Sequence, residues 1–159
     1  MNERMTDLWV YDLLQDAKIA DKLEPEKSSI KELQNALSVA SKKGTGKVGK
    51  PEYIGVVKDF VIVIENKKDL DKHEKRDNNK LISQDQEHIK DYAINGALWY
   101  AKQIIANQNT YKKVFAIAVS GNSKRHKITP LFVDNGAFTR EPLKDIERFI
   151  LLQNFLYFS

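Results

Sequence analysis

The chain has 159 residues, no cysteine and a formal net charge of +4, which favours one domain with a real core over two. Hydrophobic residues make up 42% and charged residues 30%, the balance of a soluble globular protein and not of a disordered one. Lack of cysteine excludes a disulfide framework, a thiolate metal site and a thiol nucleophile; no apolar run nears membrane-spanning length and Met1–Met5 shows no signal-peptide core, so a cytoplasmic protein without membrane contact is expected.

Residues 6–22 are predicted to form a helix, capped by Thr6, with Leu8, Val10, Tyr11, Leu13, Leu14 and Ile19 near helical spacing. Pro25 breaks that pattern. Ser29-Ile30-Lys31-Glu32 has the spacing of a capping box, and Ile30, Leu33, Ala36, Leu37 and Ala40 then give a second helix one apolar stripe, ending near Lys43. Gly44, Gly46 and Gly49 punctuate a basic loop carrying Lys42, Lys43, Lys47 and Lys50. It is not a phosphate-cradling P-loop, because the spacing before a Gly-Lys-Ser/Thr is missing and the loop leads into a strand. Two β-branched runs, Tyr53–Val57 and Phe60–Ile64, read as strands; the second is apolar at consecutive positions, as in the centre of an α/β sheet. Lys68–Asp85 is polar and reads as a long, exposed, mobile connection. A long helix is expected over 86–107, where an internal Gly96 suggests close contact with the sheet. Val114–Val119 and Ile128–Val133 read as strands, the latter at an edge because of Pro130, and Pro142–Ser159 as a last helix ending on an apolar run. His73, His88 and His126 have no metal-ligand spacing and read as surface residues. A second basic cluster, Lys124-Arg125-His126-Lys127, separates the last two strands. Basic loops near carboxylates suit a polyanionic substrate, and each cluster alone also suits a solvated surface. The order of elements describes an α/β domain, helices flanking a small mixed sheet of about four to five strands.

The carboxylates stand out for their position. If Tyr53–Val57 and Phe60–Ile64 form a hairpin turning at Lys58-Asp59, counting outward from Val57 opposite Phe60 brings Glu52 opposite Glu65. Opposed residues have Cβ atoms about 5 Å apart on one face, and like charges there repel. A change of one residue in the loop would separate them. Lys67, on the same face roughly 6.6 Å farther along the strand, offsets part of the repulsion, and a divalent cation would offset more. Oxygen ligands with water favour Mg²⁺ or Mn²⁺. Such an ion polarises a phosphoryl oxygen and lowers the pKa of a bound water, while a lysine orients that water or stabilises developing charge. An acidic residue, any residue, then lysine is common by itself: Asp16-Ala17-Lys18 is a second instance on a helix, with no such setting.

Pro51-Glu52 followed by Glu65-Asn66-Lys67 resembles the motif of the PD-(D/E)XK nuclease superfamily. Together with Gly49-Lys50-Pro51-Glu52-Tyr53, Asp91–Ala101 and Ile117–Gly121, the chain resembles, over about residues 30 to 133, the N-terminal nuclease domain of bacterial type I or type IIG restriction-modification proteins. The resemblance implies a restriction-endonuclease-like core and a Mg²⁺-dependent DNA endonuclease, with Mn²⁺ able to substitute. It implies Glu52 and Glu65 as metal ligands, the main-chain carbonyl of Asn66 as a third, and Lys67 as the catalytic lysine. Glu32 is the candidate for a further acidic residue on the helix before the sheet, in competition with its capping role. The Gln-X-X-X-Tyr signature of related type I nucleases is not found on the 86–107 helix. The implied partners are double-stranded DNA and methyltransferase and specificity domains or subunits, with room for a homodimer that cuts both strands. Residues 1–159 are then one nuclease domain of a larger polypeptide, since nothing resembles a recognition helix. A non-catalytic DNA-binding module on the same fold and a stand-alone repair nuclease are the alternatives.

Overall fold

Val61, Ile62, Val63 and Ile64 are fully buried, as a strand covered on both faces requires. A computed structural model of the chain describes residues 3–42, 48–134 and 142–147. In chain order its elements are helix α1 (Glu3–Asp16), strand β1 (Leu23–Glu24), helix α2 (Lys31–Leu37), strands β2 (Tyr53–Val57) and β3 (Phe60–Lys67), helices α3 (Gln86–Asp91) and α4 (Ala93–Ala106), and strands β4 (Lys113–Gly121) and β5 (His126–Asp134). The five strands form one mixed sheet in the order β1-β2-β3-β4-β5. Only β3 and β4 run parallel, and the α3–α4 pair lies in the crossover a parallel connection needs.

Two cores result, one per face. Val10 and Leu14 of α1 pack with Ile62, Ile64, Phe115 and Ile117. Leu33 and Leu37 of α2 and Ala97, Ala101 and Ile104 of α4 pack with Val61, Val63, Ala116 and Leu131. The odd and even residues of β3 therefore serve different cores, which fixes its register firmly. Val57 pairs with Phe60 and Tyr53 with Ile64, so the hairpin has the expected two-residue loop. Lys58 opens that loop at φ 56, the positive value that two-residue hairpins favour at their first position. As expected from Pro130, β5 is an edge strand.

Several expectations are corrected. The first helix stops at Asp16; Lys18 sits at φ 62, and a short 3-10 turn, Ala20–Lys22, leads into β1, a two-residue strand the sequence did not announce. The capping box does not form: Ile30 is the N-cap of α2, while the Ser29 amide (2.7 Å) and hydroxyl (3.1 Å) both donate to Glu24. The helix ends at Leu37, well short of residue 43. The 86–107 helix is two helices, broken where Tyr92 adopts extended angles (φ −119, ψ 138). The polar segment after β3 is not simply exposed, because His73, Ile82 and Ser83 are buried in it. Pro142–Glu147 is not helical; the amides of Leu143 and Ile146 donate to the carbonyls of Pro130 and Ile128 along the outer edge of β5. The rest of the expected last helix, its apolar end, and Lys43, Gly44, Gly46 and Lys47 of the basic loop lie outside the described residues. Among the described residues no helix is long and apolar enough to cross a membrane.

Candidate active site

Alternation along β3 sends Glu65 and Lys67 to the α4 face and Asn66 to the α1 face. Contacts follow this division. A side chain at Gly96 of α4 would lie 3.0 Å from Glu65 Oε2, so the bare helix backbone there is what lets the carboxylate sit under α4. Lys67 Nζ donates to the Lys90 carbonyl (2.8 Å) at the end of α3, where orphan helix carbonyls attract cations. Asn66 Nδ2 donates to Asp7 of α1 (2.9 Å), and its Oδ1 is buried without a hydrogen-bond partner among the described residues. With its side chain on the far face, Asn66 can join Glu65 only through its main chain.

One residue beyond the Tyr53–Ile64 pair, the Glu52 amide donates to the Ile64 carbonyl (3.1 Å) and reaches Oε1 of Glu65 (3.3 Å). Glu52, the residue before β2, is therefore the cross-chain neighbour of Glu65 of β3, as the hairpin count requires. Glu65 is 2% exposed and Glu52 half-buried. A carboxylate so deeply buried needs a partner, and Lys42 provides it, its ammonium 2.6 Å from Oε2. Tyr100 bears on both carboxylates. Burial pushes its hydroxyl above the ordinary tyrosine range, the charges of Glu65 and Glu52 push the same way, and a hydrogen bond from the Lys50 amide (3.1 Å) opposes them. That same bond pins the arm Gly49-Lys50-Pro51-Glu52 to α4. Glu32 stands apart, exposed in the first turn of α2.

Sequence reasoning placed Glu52, Glu65 and Lys67 at one end of one face but missed Lys42 and Tyr100 as their companions. It also missed Asn95, whose side-chain amide holds the segment after β3 through the Lys75 amide (3.0 Å) and carbonyl (2.8 Å) and the Ser83 carbonyl (2.8 Å). A lone Asn in the apolar face of α4 was the available signal.

A second polar group lies across the sheet. Thr129 stands in the same cross-strand row as Glu65, with Ala118 between them. The Thr129 hydroxyl donates to Asp145 (2.6 Å) and contacts His73 Nε2 (2.7 Å); His73 Nδ1 contacts the Ser120 hydroxyl (2.7 Å). With its proton given to Asp145, Thr129 must accept from Nε2–H, which leaves Nδ1 to accept from Ser120. His73 is therefore a neutral, buried residue and not a surface one, its pKa lowered to about 4, chiefly by burial. His88 and His126 are half-buried.

Among the described residues no group of three or more His, Asp or Glu is gathered to hold a metal. What lies here is sparser: the Glu65 carboxylate, a second glutamate whose amide meets it, and the Asn66 main chain, whose acceptors are all hard oxygens. Such a set fits a hard divalent ion completed by water and phosphate oxygens, and the Lys42 ammonium on Oε2 shows that the pocket around Glu65 accepts positive charge.

Over 150 residues the chain is 35% identical to the type II restriction enzyme and methyltransferase RM.BcgI of Heyndrickxia coagulans, a match covering 92% of this chain and 23% of that protein. No family model matches the chain, and no solved structure matches it.

Proposed function

We propose that the chain is the DNA-cleaving domain of a restriction-modification polypeptide, a Mg²⁺-dependent endonuclease on a PD-(D/E)XK core. The observation that carries this reading is the Glu52 amide shared between Ile64 and Glu65. It sets the main chain of one glutamate against the buried carboxylate of another, at the register the hairpin count requires. The relative joins a restriction enzyme to a methyltransferase, which supports a methyltransferase region as a partner of this chain; specificity regions, double-stranded DNA as substrate and a homodimer for double-strand cleavage complete the proposal.

Glu52 and Glu65, with the Asn66 main-chain carbonyl, would hold Mg²⁺ or Mn²⁺; the bound ion supplies Lewis acidity at a phosphoryl oxygen and a more acidic water. Lys67, released from the Lys90 carbonyl, donates to the phosphate as charge develops during in-line attack. The Gly96 backbone and the buried setting of Glu65 keep water from solvating that carboxylate fully, which strengthens its hold on a cation. The phosphate backbone would meet cations at the same end of the sheet: exposed Lys127 is joined to Lys67 through Ser120 in the strand ladder, and Lys124 and Arg125 are exposed in the β4–β5 turn.

The test is relaxation of supercoiled plasmid by the protein in Mg²⁺, in Mn²⁺ and in EDTA, alongside Glu65→Gln. Nicking with either metal, lost in EDTA and in the variant, is the expected result. Equal nicking in EDTA, or none under any condition, sinks the reading.

A further inference from the structure

A buried carboxylate proposed to hold a metal already has a cation on it. Lys42 Nζ lies 2.6 Å from Oε2 of Glu65, with the two side chains only 16% and 3% exposed. The ammonium also lies 5.5 Å from the centroid of the Tyr100 ring, and a side chain at Gly96 would meet Nζ at 3.4 Å as well as Oε2 at 3.0 Å. Lys42 is thus held by a carboxylate, an aromatic face and a bare stretch of helix backbone. This is a built contact, unlike a surface ion pair whose partners swing freely.

We propose that Lys42 is an internal counter-ion that competes with a divalent cation for Glu65. The inference rests on the reading of Glu65 as a metal ligand and adds a regulator of that site. An ammonium and a divalent ion sharing one carboxylate within a few ångströms repel each other strongly where water is excluded. Cation binding therefore requires Lys42 to leave Oε2. Room for this exists: a cavity of about 430 Å³, whose lining includes Gln84, Gln86 and Trp99, opens at Lys42. The main chain of Lys42 is tied as the head moves, since its carbonyl accepts a hydrogen bond from Gln86 Nε2 (3.4 Å). Competition of this kind lowers the cation affinity of the resting site. It links metal uptake to anything that draws Lys42 away, and a DNA phosphate carries the charge to do so.

Calorimetric titration of the whole chain with MgCl₂ and with MnCl₂ tests the competition. Lys42→Met and Lys42→Gln, two neutral replacements, are compared with Lys42→Arg, with Glu65→Gln and with the unaltered protein, after circular dichroism confirms folding. The neutral variants are expected to bind the cation about tenfold tighter or more, and Lys42→Arg no tighter than the unaltered chain. If Glu65→Gln abolishes binding while the neutral variants bind equally or more weakly, the metal reading stands and the competition is overturned. If Glu65→Gln binds like the unaltered chain, the ligand assignment itself falls, and the competition with it. Should neither neutral variant fold, Lys42→Arg binding the cation tighter than the unaltered chain overturns the proposal, and equal or weaker binding supports it.

Discussion

Two polar groups share the α4 face at the same end of the sheet, and they are built on opposite principles. Around His73 the hydrogen bonds close: Ser120, His73, Thr129 and Asp145 each give or take what the next one needs. Around Glu65 a buried carboxylate takes an amide from Glu52 and a lysine drawn in from 23 residues away. A satisfied network stabilises and orders the chain, while a buried ion pair repays its desolvation poorly and survives where it serves chemistry. The difference teaches which group to read as clamp and which as site.

The sharpest way to break that comparison is Lys67→Ala. Its contact with the Lys90 carbonyl is a single partly exposed hydrogen bond, so the melting temperature should shift by only a degree or two. Metal-dependent nicking should fall roughly a hundredfold or more. Plasmid relaxation and calorimetry on one preparation check both halves; full activity with a lowered melting temperature would reverse the assignment of clamp and site.

His73→Ala should show the converse. Loss of the ring leaves the hydroxyls of Ser120 and Thr129 without their buried partner, which costs about 2–3 kcal/mol. Denaturant unfolding measures this, and nicking by the folded variant should be retained. The same residue sets a pH dependence of similar size. Its folded pKa, about 4, lies below the ordinary value near 6.5, so the unfolded chain takes up a proton first as pH falls. Stability from this group is therefore complete above pH 6.5, declines between pH 6.5 and pH 4, and levels off below. The decline should total roughly 3 kcal/mol, and it should be absent from a pH series on His73→Ala. Asp145 and Glu74, which favour the charged ring, and Lys127, which disfavours it, shape the lower part of that window.

How much of this was legible in the sequence depended on whether a pattern was local. The β2–β3 register was legible because two apolar runs on a two-residue loop leave one pairing that keeps both cores apolar. The partnership of Lys42 and Glu65 was not, since it joins a loop to a strand through folding of α2 and α4 over the sheet. His73 was misread because it stands in a run of exposed charged residues, and its burial comes from β4, β5 and the strip at Asp145. The break at Tyr92 had no Pro or Gly to mark it. Ser29 had the right spacing for a capping box, but Glu24, five residues earlier, offered a carboxylate and won its amide. β1 is two residues long, too short for any periodicity to show.

The smallest effect bears on the turn that brings the glutamates together. Lys58 holds φ 56, a left-handed conformation that costs an ordinary L-residue about 1–2 kcal/mol. Glycine adopts it without strain but loses more freedom on folding, by roughly 0.5–1 kcal/mol. Lys58→Gly should therefore stabilise the chain by about 0.5 kcal/mol, whereas the β-branched Lys58→Val should destabilise it by more than that, both read from denaturant midpoints at constant m. The two variants must move in opposite directions if the loop is Lys58-Asp59 alone. If Lys58→Val is the more stable, the loop does not turn at Lys58, and Glu52 then has no geometric reason to stand beside Glu65.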